Sequence, residues 1–277
     1  MSAIEISRLP PGHTVRLGVS RIGYEVKSYF RQGDSVFFTF LFPLVMLTIF
    51  SVAFSEQSFG PPGSEITAAE FYLPGMLAAG LLLSGLQNMA IDIAIEKSDG
   101  TLKRLAGSPL PVMSYFIGKI GQVFATGTLQ AAILIVVAAV VFGVELPSEP
   151  EKWLTFAWVF VLGATTSAVL GIALSALPRS GKSATAVITP ISLVLQFISG
   201  IFLAFSILPT WLQNVASVFP LKWMAQGMRE VFLPASFEVL EQGESWNLEV
   251  VAIVTGLWLV LGLIACRITF RWIRKDG

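Results

Sequence analysis

Between two long apolar runs this 277-residue chain gathers Glu96, Lys97, Asp99, Lys103 and Arg104 within nine residues. Charges of both signs at that density can form ion pairs or dock on a polar surface. They supply no activated nucleophile and no metal-ligand spacing. Ser98 or Asp99 can cap a short helix over positions 100–106, Gly107 can end it, and Pro109 and Pro111 forbid its continuation. Such a helix needs something polar to rest on; the plainer alternative is a solvated loop with one helical turn. A second stretch, ALPRSGKS at 176–183, matches a permissive phosphate-loop pattern with alanine in place of the first glycine. A working phosphate loop follows a β-strand and opens a helix in a soluble α/β domain. Here it joins two apolar runs across a few residues, so it reads as a basic turn anchoring two helix ends. Neither HExxH nor GxSxG occurs, and His13 and Cys266 are the sole histidine and cysteine. Multi-histidine, CxxC and intrachain disulfide chemistry are therefore excluded. The chain by itself reads as non-catalytic.

The elements that position these residues are membrane spans. Hydrophobic residues make up 54% of the chain and charged residues 13%, where a soluble domain carries about 25% charged residues. The formal net charge is zero, so no basic field attracts nucleic acid. The expected fold is an all-α polytopic membrane protein with six transmembrane helices, at 35–54, 71–93, 113–144, 153–177, 184–208 and 248–270. Ahead of them, no apolar core follows the early basic residues, so no signal peptide is expected. Val15, Val19, Ile22, Val26, Tyr29 and Phe30 recur at helical spacing, with Arg16, Arg21, Lys27 and Arg31 on the other sides. That pattern predicts an amphipathic interfacial helix over 14–33, or else a helix packed on a partner.

The stretch 209–234 is amphipathic but holds Lys222, Arg229, Glu230 and a central Pro220. As a full span it would place each charge in hydrocarbon at about 2.5–3.5 kcal/mol. It would also carry the cluster Arg267, Arg271, Arg274 and Lys275 to the outside. It is read instead as short re-entrant helices on the outer face, which leaves both termini in the cytoplasm. Of the 18 Lys and Arg residues, all but Lys152, Lys222 and Arg229 then lie on cytoplasmic segments, as the positive-inside rule requires.

Polar residues inside the spans form two seams. Thr185, Thr189, Ser192, Gln196 and Ser199 share one face of the fifth span; Ser84, Asn88 and Asp92, with Gln87 beside them, share one face of the second. They either line a translocation route or act as interhelical glue. Ser167, Gly171 and Ser175 in the fourth span favour close packing. Asp92 sits near the cytoplasmic end of its span, and Lys119 is expected to snorkel to the same side. No ionisable group is expected at mid-depth, so the energy source is expected outside the membrane. Seams without fixed charge suit an amphiphilic or apolar cargo.

Three groups of residues together resemble one family. They are Phe30-Arg31 before Phe42-Pro43; EKSDGTLKRL at 96–105 with Ser108-Pro109 and Gly118-Lys119; and FISGIF at 197–202 with LPTWL at 208–212, FPL at 219–221 and Arg229. The pattern is similar, over nearly the whole chain, to the permease subunits of type-2 ABC exporters, including the daunorubicin and multidrug-resistance permeases. Ala204-Phe205 stand where that family commonly carries a proline. The resemblance implies that 94–111 is a coupling loop docking on a separate ABC ATP-binding subunit through Glu96, Lys97, Gly100, Thr101, Leu102, Lys103, Arg104, Leu105 and Pro109. Leu102 and Leu105 would be buried against that subunit. It further implies an external gate at Phe202, Pro209, Trp211 and Pro220, and a substrate pathway along Ser84, Gln87, Asn88, Thr185, Thr189, Ser192, Gln196 and Ser199. Two permeases and two ATPases would assemble in a bacterial plasma membrane. This chain would hold no cofactor; ATP and magnesium would sit in the partner.

The expected function is thus the membrane half of an ATP-driven exporter of a hydrophobic or amphiphilic compound, a drug or a lipid. Alternatives are a polysaccharide or glycolipid exporter of the same family, a self-sufficient secondary carrier, and a membrane scaffold that transports nothing.

Overall fold

The structure is a computed structural model that describes residues 11–270. Its architecture is all-α, and six helices among the described residues are long and apolar enough to cross a membrane. An initial helix, α1 (Pro11–Tyr29), precedes the first of them, α2 (Gly33–Ala53). The second spanning helix is continuous over 31 residues, built from α3 (Ala68–Leu81), a π-helical segment (Leu82–Asn88) and α4 (Met89–Ser98). A six-residue helix, α5 (Thr101–Ala106), leads to α6 (Val112–Phe142), α7 (Pro150–Leu174) and α8 (Gly181–Ile198). Two short helices, α9 (Thr210–Ala216) and α10 (Pro220–Phe232), come before the last spanning helix, α11 (Leu248–Thr269).

Local chemistry explains where these helices begin. Thr67 and Glu70 form a capping box: the Thr67 amide donates to Glu70 Oε2 at 2.7 Å and the Glu70 amide donates to Thr67 Oγ1 at 3.3 Å. The second span therefore starts at Ala68, and its helix runs on to Ser98 rather than ending near 93. Ser180 and Ser183 cap α8 in the same reciprocal way, and Pro150 takes the first position of α7. The fifth span is shorter than expected, because α8 stops at Ile198 and not near 208. Gly200, at φ +75°, turns the chain where an L-residue would be strained. Beyond it Ile201, Phe202 and Phe205 are buried against the bundle, while Leu203 and Ile207 are exposed. The basic residues Arg271, Arg274 and Lys275 lie outside the described residues.

The second span is the axis of the bundle. Of its most apolar 18-residue stretch 78% is buried, against 22% for α2 and for α8 and 17% for α11. Small residues let neighbours approach it closely. A Cβ added at Gly171 of α7 would lie 2.9 Å from the Leu86 carbonyl oxygen, so this crossing tolerates only glycine. At one end of the span α10 packs against α3, α7 and α11; at the other, α8 packs along α4 and the π segment. The α1 helix lies along the first half of α6, where Ser114 Oγ donates to the Thr14 carbonyl at 2.7 Å. Of its apolar stripe, Tyr29 is buried and Ile22 and Val26 are half-buried, while Val15, Val19 and Phe30 stay exposed.

Candidate functional site

The loop between the second and third spans is held from inside. Asp99 Oδ1 accepts from the Thr101 amide at 2.8 Å, and Gly100, at φ +80°, turns the chain into α5. Arg104 Nη2 donates to Thr101 Oγ1 at 2.9 Å. Six residues are too few for a helix to persist alone, so α5 needs an anchor. Leu102 provides it, 2% exposed in a cluster with Met89, Ile93, Tyr115, Val123, Ala168 and Ile172 of its own chain. Leu105 is half-buried on the rim of the same cluster.

This placement corrects the expected contact set. Leu102 faces inward and has no surface to give a partner. Glu96 also turns inward: Tyr115 Oη donates to its Oε2 at 2.7 Å and Lys119 Nζ to its Oε1 at 2.7 Å. Lys119 does not snorkel; at 3% exposure it also pairs with Glu25 Oε2 at 3.0 Å, and Arg21 reaches Glu25 Oε1 at 2.7 Å. The result is a buried latch joining α1, α4 and α6. Of the expected contact residues, Lys103, Arg104 and Pro109 are left outward and Lys97, Gly100 and Thr101 are half-buried. Sequence reasoning missed Glu25 and Tyr115, because Lys119 and Glu96, to which they bond, lie far along the chain.

The phosphate-loop look-alike has a packing explanation. A Cβ at Gly181 would lie 3.1 Å from the Ile95 Cα, so this glycine lets the start of α8 cross the end of α4. The lysine and serine after it belong to the first turn of a membrane helix.

The two polar seams divide in the structure. Ser192, Gln196 and Ser199 are buried, Thr189 is half-buried, and Thr185 is exposed, so the fifth-span seam does not present one uniform face. The hydroxyls of Ser84, Ser192 and Ser199 and the Gln196 Oε1 are buried without hydrogen-bond partners. Unpaired polar atoms in a membrane interior are costly, so this contact between the second and fifth spans gains if it opens to water or cargo. Asn88 is different: its Nδ2 donates to Thr39 Oγ1 at 2.6 Å and reaches Tyr29 Oη at 3.5 Å, tying the second span to the first. Burial pushes the Tyr29 phenol up to about 12. Gln87 is half-buried.

At the opposite end, α10 is buried nearly all round. Pro220 is its first residue, which removes an amide that would otherwise lack a partner. Two of the three charges that weighed against a spanning reading, Lys222 and Arg229, are met by protein groups, while Glu230 Oε2 is buried without a hydrogen-bond partner. Arg229 pairs with Glu241 and donates from Nη1 to the Gly200 carbonyl at 3.2 Å. Lys222 bonds Gln226 Oε1, and its ammonium lies 3.7 Å from the Trp223 ring centroid and 4.9 Å from that of Phe205. Gln226 Nε2 donates to the Trp246 carbonyl at 2.7 Å and the Ser245 carbonyl at 3.1 Å. Burial pushes the Lys222 ammonium down to about 8. Of the expected gate residues, Phe202 is buried 6.2 Å from Phe50 between ring centroids, while Pro209 and Trp211 are exposed. The spacing of Lys222, Gln226 and Arg229 along one helix face was visible in the sequence; the distant partners Gly200 and Glu241 were not.

Known proteins are similar to this chain in sequence. A sequence model of the family described as ABC-2 type transporter matches residues 22–233. The inner membrane transport permease YadH of Escherichia coli K12 is 22% identical over 69% of this chain and 74% of its own length. The putative transport permease ycf38 of Cyanophora paradoxa is 26% identical over 84% of this chain and 79% of its own. The probable multidrug ABC transporter permease YbhR of Escherichia coli K12 is 23% identical over 67% of this chain and 50% of its own.

Proposed function

We propose that this chain, which belongs to the ABC-2 type transporter family, is the membrane permease of an ATP-driven exporter for a hydrophobic or amphiphilic compound. A separate ABC ATP-binding subunit would carry ATP and magnesium and supply the energy. Two permease copies would sit in a bacterial inner membrane with both termini in the cytoplasm. The names of YadH and YbhR support the compartment and the multidrug character of the cargo.

The observation that carries this reading is the construction of α5. Its inner side is locked into the chain's own core through Leu102, and its outer side offers the two bases Lys103 and Arg104. A helix held rigidly from within and charged without suits the transmission of force. A push on α5 passes through Leu102 to the core cluster and through Glu96 to Lys119 and α1, moving the spans as a body.

The test is affinity capture of the chain from its native host in mild detergent, without cross-linking. Wild type is expected to bring down a soluble ABC ATP-binding subunit. The variant Lys103→Glu with Arg104→Glu is expected to lose it while keeping its melting temperature. Retention of the ATPase by that variant would remove α5 from the interface. ATP-independent flux in proteoliposomes containing this chain alone would refute the exporter reading.

A further inference from the structure

A cavity of ≈600 Å³ opens between α1, the end of α4 and α5. Its lining includes Asp92, Glu96 and Asp99, with one cation, Arg21. The available positive charge is already committed. Arg21 holds Glu25 at 2.7 Å, and Lys119 holds Glu25 at 3.0 Å and Glu96 at 2.7 Å. Asp92 is 7% exposed, lines the cavity and makes no hydrogen bond or ion pair among the described residues; the nearby Lys119 charge acts on it without contact. Buried carboxylates are ordinarily paired or hydrogen-bonded, because water is no longer there to solvate them. An unpartnered one facing a space of this size leaves room for a positive charge from elsewhere.

The rest of the wall says what kind of cation fits. Leu17, Leu105 and Tyr24 make a large part of it apolar. Among the described residues no group of three His, Cys, Asp or Glu side chains could hold a metal ion. The volume lies in the ~300–1,000 Å³ range of pockets for drug-sized molecules. We infer that this cavity is the cytoplasmic entry site for an organic cation with an apolar body, its charged centre placed against Asp92. The inference rests on the exporter reading for its claim that the ligand is cargo.

The probe is radiolabelled tetraphenylphosphonium, measured as displaceable binding to the full chain in nanodiscs without any ATPase, with neutral triphenylphosphine oxide as comparator. Asp92→Asn removes an unpartnered charge without changing shape, so its melting temperature should equal or exceed that of wild type. It is expected to weaken tetraphenylphosphonium binding at least tenfold and leave the neutral compound unaffected. Leu105→Trp should block both by filling the cavity. Absence of displaceable binding to wild type, or equal affinity in Asp92→Asn, would overturn the inference. So would loss of ATPase capture in Asp92→Asn without any cation binding, since the cavity would then be a socket for a partner's basic side chain. ATPase capture without cation binding sinks the entry site alone. Asp92-dependent binding by a chain that captures no ATPase sinks the exporter reading and leaves the site standing.

Discussion

The two ends of the second span each meet a buried cluster of charge, and the clusters are built oppositely. Beside α4, three carboxylates (Glu25, Asp92 and Glu96) face two cations (Arg21 and Lys119), and the group borders a cavity of ≈600 Å³. Beside α3, two cations (Lys222 and Arg229) face one carboxylate, Glu241, and the adjoining cavity holds only ≈20 Å³. The second cluster makes up its deficit with fixed dipoles and ring faces: Gly200 offers its carbonyl to Arg229, and Trp223 and Phe205 flank Lys222. A cation satisfied by backbone and aromatic groups is fastened to the segments that carry them. A carboxylate left facing open space is not. The comparison separates a closed stopper from a latch with room beside it.

Removing Lys119 should break the latch most severely. Lys119→Met leaves half-buried Glu96 without a cation and buried Glu25 with Arg21 alone, a change expected to lower stability by about 3 kcal/mol or more. A melting curve in detergent measures it, and adding Glu96→Gln should recover part of the loss. An unaltered melting temperature would mean that the latch does not hold α1 to the bundle.

The stopper should respond less to Arg229→Met, because only Glu241 loses its cation, whereas Lys119→Met takes one from both Glu25 and Glu96. A loss of about 3 kcal/mol is expected, with more than half returned by Glu241→Gln in the same chain. If the double variant is no better than the single one, the Gly200 carbonyl contact, not the ion pair, is what matters.

Lys222 gives the smallest effect and the opposite sign. It has no carboxylate partner, so Lys222→Met should melt within about 1 kcal/mol of wild type or above it. The pH dependence follows from burial. The ammonium is held near 8 in the folded chain against 10.5 ordinarily, so above pH 8 the unfolded state binds more protons. Stability contributed by this group should therefore rise between pH 8 and 10.5, and that rise should vanish in Lys222→Met. A flat profile in wild type would mean that water reaches the ammonium.

Elements written in local residue types were legible. Apolar runs near 20 residues produced the spanning helices, and proline and glycine positions marked out α5. Start signals were present but overlooked: Thr67 with Glu70 and Ser180 with Ser183 spell capping boxes that move two helix starts upstream. The end of α8 was hidden because the residues after Gly200 are as apolar as a span, and composition cannot tell burial in lipid from burial in protein. The expected contact set included Leu102, which the structure buries in the chain's own core. Leu102 is apolar whether it meets a partner or its own core, and only the position of Tyr115 and Ile172 decides which.

By itself the amino-acid order determined that this chain is all-helical, with six membrane-spanning helices and a charged helix slung between the second and third. Those properties depend on hydropathy, period and turn residues within a few positions of one another. The tertiary structure decided which charges are sealed and which are offered. Lys119 pairs with Glu25 across 94 positions of chain, Arg229 meets Gly200 across 29, and Asp92 is left facing a cavity. Pairing across such distances depends on how helices cross, and no local pattern encodes that.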